Sequence, residues 1–309
     1  MTHVCVSIVG FRNAADIVLC LKALERSTHT DFHVVVCENG GEQAFTDLRQ
    51  ATGGFLAGGQ AVHVINAGAN LGYAGGVNRA MAFSPDASAW WILNPDTQPE
   101  PEALAAALAR LQGGDCAAVG STVYLPDGTV QSHAGIWRSW FARAVSVGHG
   151  TPLAAPTDVT SIEREQSYLN GACMLVDRKF MSTVGPMRED YFLYCEEVEW
   201  FLRATTLGLR MGFAPASRVL HEGGATTGSY ADIRHRPKTP IYLNERNRLL
   251  VTRDCYPGRL PVVALGALAV LLLKYGRRRA WLQVGYALSG WLAGLTNRRG
   301  PPAWLNAAG

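Results

Sequence analysis

Two acidic segments and one histidine hold the chemistry open to this sequence. Asn94-Pro95-Asp96 closes an apolar run, Ala89–Leu93. A carboxylate at the end of a strand can hold Mg²⁺ or Mn²⁺, hard ions that take oxygen ligands and bridge to phosphate oxygens. Asn-Pro and Asp are also ordinary turn formers. Glu196-Glu197-Val198-Glu199 places three carboxylates within four residues. Like charges so close need an offset, and a helix N-terminus supplies up to about 1 kcal/mol each at a surface. An acidic first turn is the plain reading, and a positioned general base is the functional one. On a helix Glu196 and Glu199 share a face while Glu197 points elsewhere. Flanking Tyr194, Trp200 and Phe201 would lower local polarity and raise a carboxyl pKa. His221 follows Val219-Leu220 and precedes Glu222-Gly223-Gly224, a setting for a metal ligand or a phosphate contact.

The elements that must position these groups alternate between strand and helix patterns. Strands are predicted at Val4–Val9, Phe32–Cys37, Ala61–Ile65, Ala89–Leu93 and Val119–Leu125, with helices at Ala14–Arg26, to about Phe83, and at Glu102–Leu111. That alternation predicts an α/β fold with a mostly parallel sheet flanked by helices. In such sheets ligands bind beyond the carboxyl ends of the strands. The rule selects Phe11–Asn13, Glu38–Gly41 and Asn94–Asp96. Asn70–Gly76 is glycine-rich and opens a helix, but it lacks the dinucleotide spacing and follows the third strand. No phosphate-loop lysine motif and no G-x-S-x-G nucleophile elbow occurs. Residues 127–165 read as an irregular hairpin region. From Asn170 the pattern tightens into a strand, a short helix capped by Asp177, a helix from Glu196 to Leu207 ended by Gly208, and a strand at Arg210–Ala214.

Bulk properties narrow the class. The chain has 309 residues, is 48% hydrophobic and carries a formal charge of +3, which does not suit nucleic acid, whose partners show a basic stripe. Seven cysteines without a CxxC pair point to a reducing compartment. No signal peptide is expected, because Val4–Val9 follows at once and reads as a buried strand. Residues 260–273 are an unbroken run of 14 apolar residues, short of the roughly 20 that a spanning helix needs. Lys274, Arg277-Arg278-Arg279, a second apolar stretch with Trp281, Tyr286 and Trp291, and Arg298-Arg299 follow. Short apolar helices flanked by Arg and Trp suit a membrane surface. A helical cap on the rest of the chain, or on a second copy of it, is the alternative.

In order along the chain, these segments resemble the family 2 glycosyltransferases, in particular the rhamnosyltransferase-like branch of bacterial surface polysaccharide synthesis. The carrying residues are Val6–Val9 with Phe11, Val36–Asn39, Asn70–Asn78, Leu93–Thr97, Asn170–Leu175, Phe192–Glu199 with Arg203, Pro215 to His221, and Arg246-Asn247-Arg248. The resemblance implies a GT-A-type fold over residues 1–255, with a nucleotide-sugar half (1–125) and an acceptor and catalytic half (126–255), before a C-terminal helical membrane-associating appendage (256–309). It implies that Phe11 lines the nucleobase, that Glu38 with Asn39 meets the nucleoside, and that Asn70, Gly72 and Asn94 belong to the donor site. It makes Asp96 and His221 the holders of a divalent Mg or Mn ion, and Glu197, beside Glu196, the general base. Glu38, Glu197 and Glu199 stand where the family usually has Asp. A misplacement near 1 Å can cost around 10²-fold in rate, so either the pocket compensates or the roles shift by a residue.

The reaction so implied is an inverting single displacement. A hydroxyl of a glycan or lipid-linked acceptor attacks the anomeric carbon of a nucleoside-diphosphate sugar, a deoxyhexose such as rhamnose, at the cytoplasmic face of a membrane. Two rivals stand beside it. A non-catalytic sugar-nucleotide or glycan-binding partner of a membrane complex is motivated by the Asp-to-Glu changes. A nucleotidyltransferase would need a basic Gly-rich loop after the first strand, which Gly10-Phe11-Arg12-Asn13 does not supply.

Overall fold

The computed structural model describes residues 3–222 and 232–306. Gly223 and Gly224, which flank His221 in the sequence, lie outside the described residues. Four parallel strands form one side of the main sheet: β1 (Val4–Gly10), β2 (Phe32–Glu38), β3 (Val62–Asn66) and β4 (Ala89–Leu93). Helices α1 (Ala14–Leu24), α2 (Glu42–Thr52) and α3 (Gly72–Phe83) connect them. The chain then adds β5 (Thr97–Pro99), α4 (Ala103–Leu111), β6 (Ala118–Tyr124), β7 (Val130–Ser132) and a hairpin of β8 (Gly135–Arg138) and β9 (Arg143–Ser146). After α5 (Val159–Glu165) come β10 (Cys173–Asp177), α6 (Arg178–Val184), α7 (Glu196–Thr206) and β11 (Met211–His221). The sheet runs β3-β2-β1-β4-β10-β6-β11-β5, with β7 beside β6.

The parallel rule holds for the first four strands and for β6 against β11. β10 is inserted antiparallel between β4 and β6, so the second half is mixed. Alternate residues of β1 feed the two faces of the sheet: Val4, Val6 and Ile8 join one core and Cys5 and Val9 the other. All seven cysteines are free.

β11 is longer than its apolar start at Met211–Ala214. It breaks register between Ala214 and Arg218, around Pro215, and resumes to pair His221 with Thr97 of β5. A proline cannot donate to the ladder, so a strand that carries one looks shorter in sequence than it is.

Two helices leave little periodic signal. α2 buries only Leu48. α8 (Lys238–Cys255) buries Glu245, Arg246, Asn247 and Thr252 along with its apolar residues, which blurs the stripe. α9 (Leu260–Gly276) and α10 (Trp281–Leu295) follow. Counted with the turn before it, α9 makes a 20-residue helical stretch from Pro257 that is long and apolar enough to cross a membrane. The 14-residue apolar run therefore understates its length. α10 lies tight against α8: a Cβ on Gly290 would come within 2.3 Å of the Tyr242 carbonyl, and one on Gly294 within 2.6 Å of that of Arg246.

Candidate active site

Each segment singled out for chemistry ends a strand or starts a helix at one edge of the sheet. Glu38 closes β2 and is 1% exposed. Its Oε1 accepts from the backbone N–H of Gly40 (2.6 Å) and of Arg12 (3.1 Å), while Oε2 is buried without a hydrogen bond. The extra methylene of Glu over Asp is housed by Gly10, where a Cβ would stand 2.4 Å from that oxygen. Gly10 thus leaves room for the longer side chain. Gly10→Ala is expected to expel the carboxylate, weaken nucleotide-sugar binding and destabilise the fold by about 1–3 kcal/mol. Calorimetry and thermal unfolding read the two effects.

Phe11 is 38% exposed and lies under the Arg12 guanidinium, 5.4 Å from its ring centre. Asn39 donates to the Gly72 carbonyl at 2.8 Å, and its own Oδ1 is a second buried acceptor without a partner. Asn70 accepts from the Gly72 N–H at 3.0 Å. Gly72 has φ +73°, and a Cβ there would strike the Phe192 carbonyl at 2.1 Å. Asn70 and Gly72 thus shape the start of α3 against the loop before α7.

Asn94, Asp96 and His221 come together through the β5–β11 pairing. His221 Nδ1 lies 2.7 Å from Gln131 Oε1, and Nε2 lies 3.2 Å from Asp96 Oδ1 and 3.4 Å from Asn94 Nδ2. An Nδ1–H donated to Gln131 leaves a lone pair on Nε2 facing a carboxylate oxygen. A divalent cation resolves that opposition, since imidazole nitrogen and carboxylate are both suitable ligands. Among the described residues no three His, Cys, Asp or Glu side chains converge as a closed metal cage. The pair therefore fits an ion that takes its remaining ligands from phosphate oxygens and water, the usual habit of Mg²⁺ at nucleotides.

The acidic cluster opens α7. Glu199 is committed to structure: it pairs with Arg203 at 2.9 Å, and Arg203 also donates to the carbonyls of Val184 and Pro186. Glu196 is 2% exposed with Oε2 unpartnered. Burial pushes its carboxyl pKa far up, and the charge of Glu197 adds to the rise. Burial also pushes Glu197 up, to about 7, against backbone hydrogen bonds that pull it down. The shared face of Glu196 and Glu199 thus separates into a buried carboxyl whose pKa is raised and an ion pair, with Glu197 raised beside them.

Tyr73 links the two centres. Its hydroxyl donates to the Gly171 carbonyl at 2.6 Å, and burial, then Glu196, Glu197, Cys173 and Asp96, raise its pKa. It lies close enough to Asp96 and to Glu196 and Glu197 to feel the charge of each. Its neighbours give no sign of that role in sequence, because Tyr73 is one aromatic in a glycine-rich turn. Gln131, which orients His221, lies in the irregular stretch and carries no signal of its own.

The loop before α7 is strained. Phe192, Tyr194 and Cys195 have φ of +69°, +73° and +66°, a region that costs a non-glycine residue of order 1–2 kcal/mol. Asn247 of α8 restrains it: the amide is 2.7–3.0 Å from the carbonyls of Tyr191, Leu193 and Tyr194. Arg246 donates to Tyr191 and Gly300, and Arg188 and Arg299 clamp Asp190 and Asp254 behind the loop. The Arg-Asn element of the sequence is therefore a positioning device. Asn247→Ala is expected to strand these carbonyls at a cost of about 1–3 kcal/mol. It should also lower the Glu197 pKa below about 7 as the carboxyl gains water. A urea titration reads the first, and the acid limb of the pH–rate profile reads the second.

Comparison with known proteins accords with this geometry. Residues 3–248 match the family described as Glycosyltransferase like family 2. The N-acetylglucosaminyl-diphospho-decaprenol L-rhamnosyltransferase of Mycobacterium tuberculosis is 29% identical over 214 residues, which cover 60% of this chain and 68% of that one. A low-salt glycan biosynthesis hexosyltransferase of Haloferax volcanii is 22% identical over 249 residues, 78% of each chain. Among solved structures, a mannosyltransferase from Pyrobaculum calidifontis in complex with GDP-Man and Mn²⁺ has a TM-score of 0.55 at 14% identity, over 96% of this chain and 88% of that one. The mixed sheet with its flanking helices is thus a GT-A-like fold, and the chain belongs to the family 2 glycosyltransferases.

Proposed function

We propose that this transferase moves a sugar, in particular a deoxyhexose such as rhamnose, from a nucleoside-diphosphate donor to a hydroxyl of a glycan or lipid-linked acceptor, with inversion at the anomeric carbon. The observation that carries the reading is Glu197: a carboxyl raised to about 7 at the start of α7, while Tyr73 feels the charge of both Glu197 and Asp96, the partner of His221. A carboxylate with a pKa near the working pH is suited to general-base catalysis. The rhamnosyltransferase relative supports the choice of sugar and of a lipid-diphosphate acceptor.

In the mechanism, the ionised Glu197 takes the proton of the attacking hydroxyl. The new oxygen–carbon bond forms as the bond from the anomeric carbon to the diphosphate breaks, and the nucleoside diphosphate leaves. Buried Glu196 stays protonated, so that one negative charge, not two, is held at the helix start. Phe11, which is partly exposed, and the Glu38–Asn39 turn hold the nucleoside. Asp96 and His221, with Asn94 beside them, would hold the divalent ion. When bound, that ion supplies Lewis-acid charge to the departing diphosphate. No second carboxylate at retaining distance is required.

Residues 1–255 carry the chemistry in this reading, and 256–309 seat it on the inner face of the cytoplasmic membrane. The exposed Val262, Leu265, Val270 and Leu273 of α9, and Trp281 and Leu282 of α10, support that seat, together with the basic run Arg277–Arg279. Calorimetry with a panel of nucleotide sugars, with and without Mn²⁺, tests the reading. One donor bound tightly only with metal is expected, and no donor bound under any condition contradicts it.

A further inference from the structure

Behind the start of α7 lies a cavity of about 320 Å³ that the donor site does not use. Four cationic side chains line it: Arg143 from β9, Arg236, Arg248 from α8 and Lys274 from α9. Among the described lining residues Glu245 is the one carboxylate, and it is already paired with Arg248 at 2.8 Å. Arg143 enters no ion pair among the described residues. Lys274 rests 4.8 Å from the centre of the Tyr275 ring. Burial, then the charges of Arg248, Arg236 and Arg278, hold the Lys274 pKa down, against the pull of Glu245. Arg143 and Lys274 are exposed to solvent at the mouth of the cavity, and a concave site lined by one sign of charge attracts the opposite one.

The cavity has two further properties. Cys195 forms part of its wall and is the residue before Glu196, and its thiol feels both Glu197 and Arg248. The basic pocket and the proposed base are therefore neighbours across one turn of chain. Exposed apolar side chains stand next to lining residues in the chain: Trp140 and Phe141, 57% and 73% exposed, precede Ala142 and Arg143, and Leu272 and Leu273 precede Lys274. A basic cavity on a helix that also exposes Val262, Leu265, Val270 and Leu273 fits an amphiphile with a phosphorylated head.

We propose that this cavity binds the diphosphate of a lipid-linked acceptor, with Arg143, Arg248 and Lys274 on the phosphates and the lipid chain leaving along α9. The inference rests on the lipid-linked acceptor of the proposed function and gives it a place. The acceptor sugar, joined to that diphosphate, then lies between the cavity and Glu197, with its hydroxyls toward the base. Holding the head group in this way raises the effective concentration of the acceptor at the base.

The same phosphate chemistry could come from an anionic membrane headgroup or from the donor nucleotide, and binding measurements separate the three. Farnesyl diphosphate, farnesol and dTDP are titrated into the full chain in neutral detergent, and phosphatidylglycerol vesicles are added as competitor. The chains compared are wild type and R143Q/K274Q. Farnesyl diphosphate should bind the wild type at least ~10-fold more tightly than farnesol, since each charge-assisted contact adds to affinity. The double variant should lose about 10-fold or more of that affinity, with farnesol and dTDP binding unchanged and vesicles competing weakly. Circular dichroism melting of the variant checks its fold, and K274Q alone serves if the pair unfolds. Equal affinity for farnesyl diphosphate and farnesol, unchanged affinity in the folded variant, displacement by dTDP, or displacement by the vesicles at matched phosphate would each overturn the proposal. Sugar transfer is not needed for this readout. Failure of the cavity with transfer intact, or of transfer with the cavity intact, can be told apart.

Discussion

Glu197→Gln should lower kcat for sugar transfer by about 10²–10⁴-fold, the usual worth of a positioned proton acceptor, while donor binding stays near that of the wild type. The amide keeps the shape of the side chain and removes its basicity. The pH dependence gives the sharper signature. A base with its pKa raised to about 7 is active when ionised, so kcat/KM of the wild type should fall as pH drops through about 7. The residual rate of the variant should lack that limb. The stability linkage has the opposite sign. An unfolded Glu titrates near its ordinary value of about 4.3, so between that pH and about 7 the folded chain keeps a proton that the unfolded chain has lost. Stability should therefore decline as pH rises through this window, and less so in Glu197→Gln. Denaturant titrations at pH 5 and pH 8 compare the two chains. Glu199→Gln is the contrast: it breaks the pair with Arg203, so it should reduce stability and leave the limb at about 7 in place.

Asp96→Ala should have the second large effect. In the proposed site, loss of the carboxylate that faces His221 would remove a holder of the divalent ion, and with it charge stabilisation of the departing diphosphate worth several kcal/mol. At about 1.36 kcal/mol per tenfold, a rate loss on the order of 10³-fold or more is expected. Donor binding should also lose its dependence on Mn²⁺. His221→Ala should act in the same direction and less strongly, since Asp96 and Asn94 stay in place. Chelator should mimic Asp96→Ala in the wild type, and added Mn²⁺ should restore only the wild type. Gln131 acts through His221 at 2.7 Å. Its replacement by Ala should therefore weaken metal affinity by about 10–100-fold, as outer-sphere partners of metal-bound His do.

What was legible in the sequence follows physical lines. β1, β2 and β4 are mostly apolar and buried along nearly their whole length, which strand reading detects well. The ends of those strands placed Glu38 and Asp96 at the functional edge before any contact was known. The antiparallel β10 was not foreseeable from alternation alone, because a buried strand reads the same in either direction. The second half of β11 hid behind Pro215, although it brings His221 to Asp96. The carboxylates at 196–199 were recognisable as a group. The pairing of Glu199 with Arg203 and the raised pKa values of Glu196 and Glu197 were not, because they depend on burial and on Arg203. The Arg246-Asn247 pair was visible as a motif, yet its work is done on carbonyls more than fifty positions earlier. Substitution of Asp by Glu at position 38 raised a question that only the missing Cβ of Gly10 could answer.

The central claim is an inverting transfer in which Glu197 takes the acceptor proton. Proton NMR during the reaction tests it most directly, with dTDP-rhamnose of defined anomeric configuration, Mn²⁺, and an N-acetylglucosaminyl diphosphate lipid as acceptor. One new anomeric signal of inverted configuration is expected, formed by the wild type and suppressed in Glu197→Gln. A product that retains the donor's configuration, or one formed at the wild-type rate by Glu197→Gln, would contradict it.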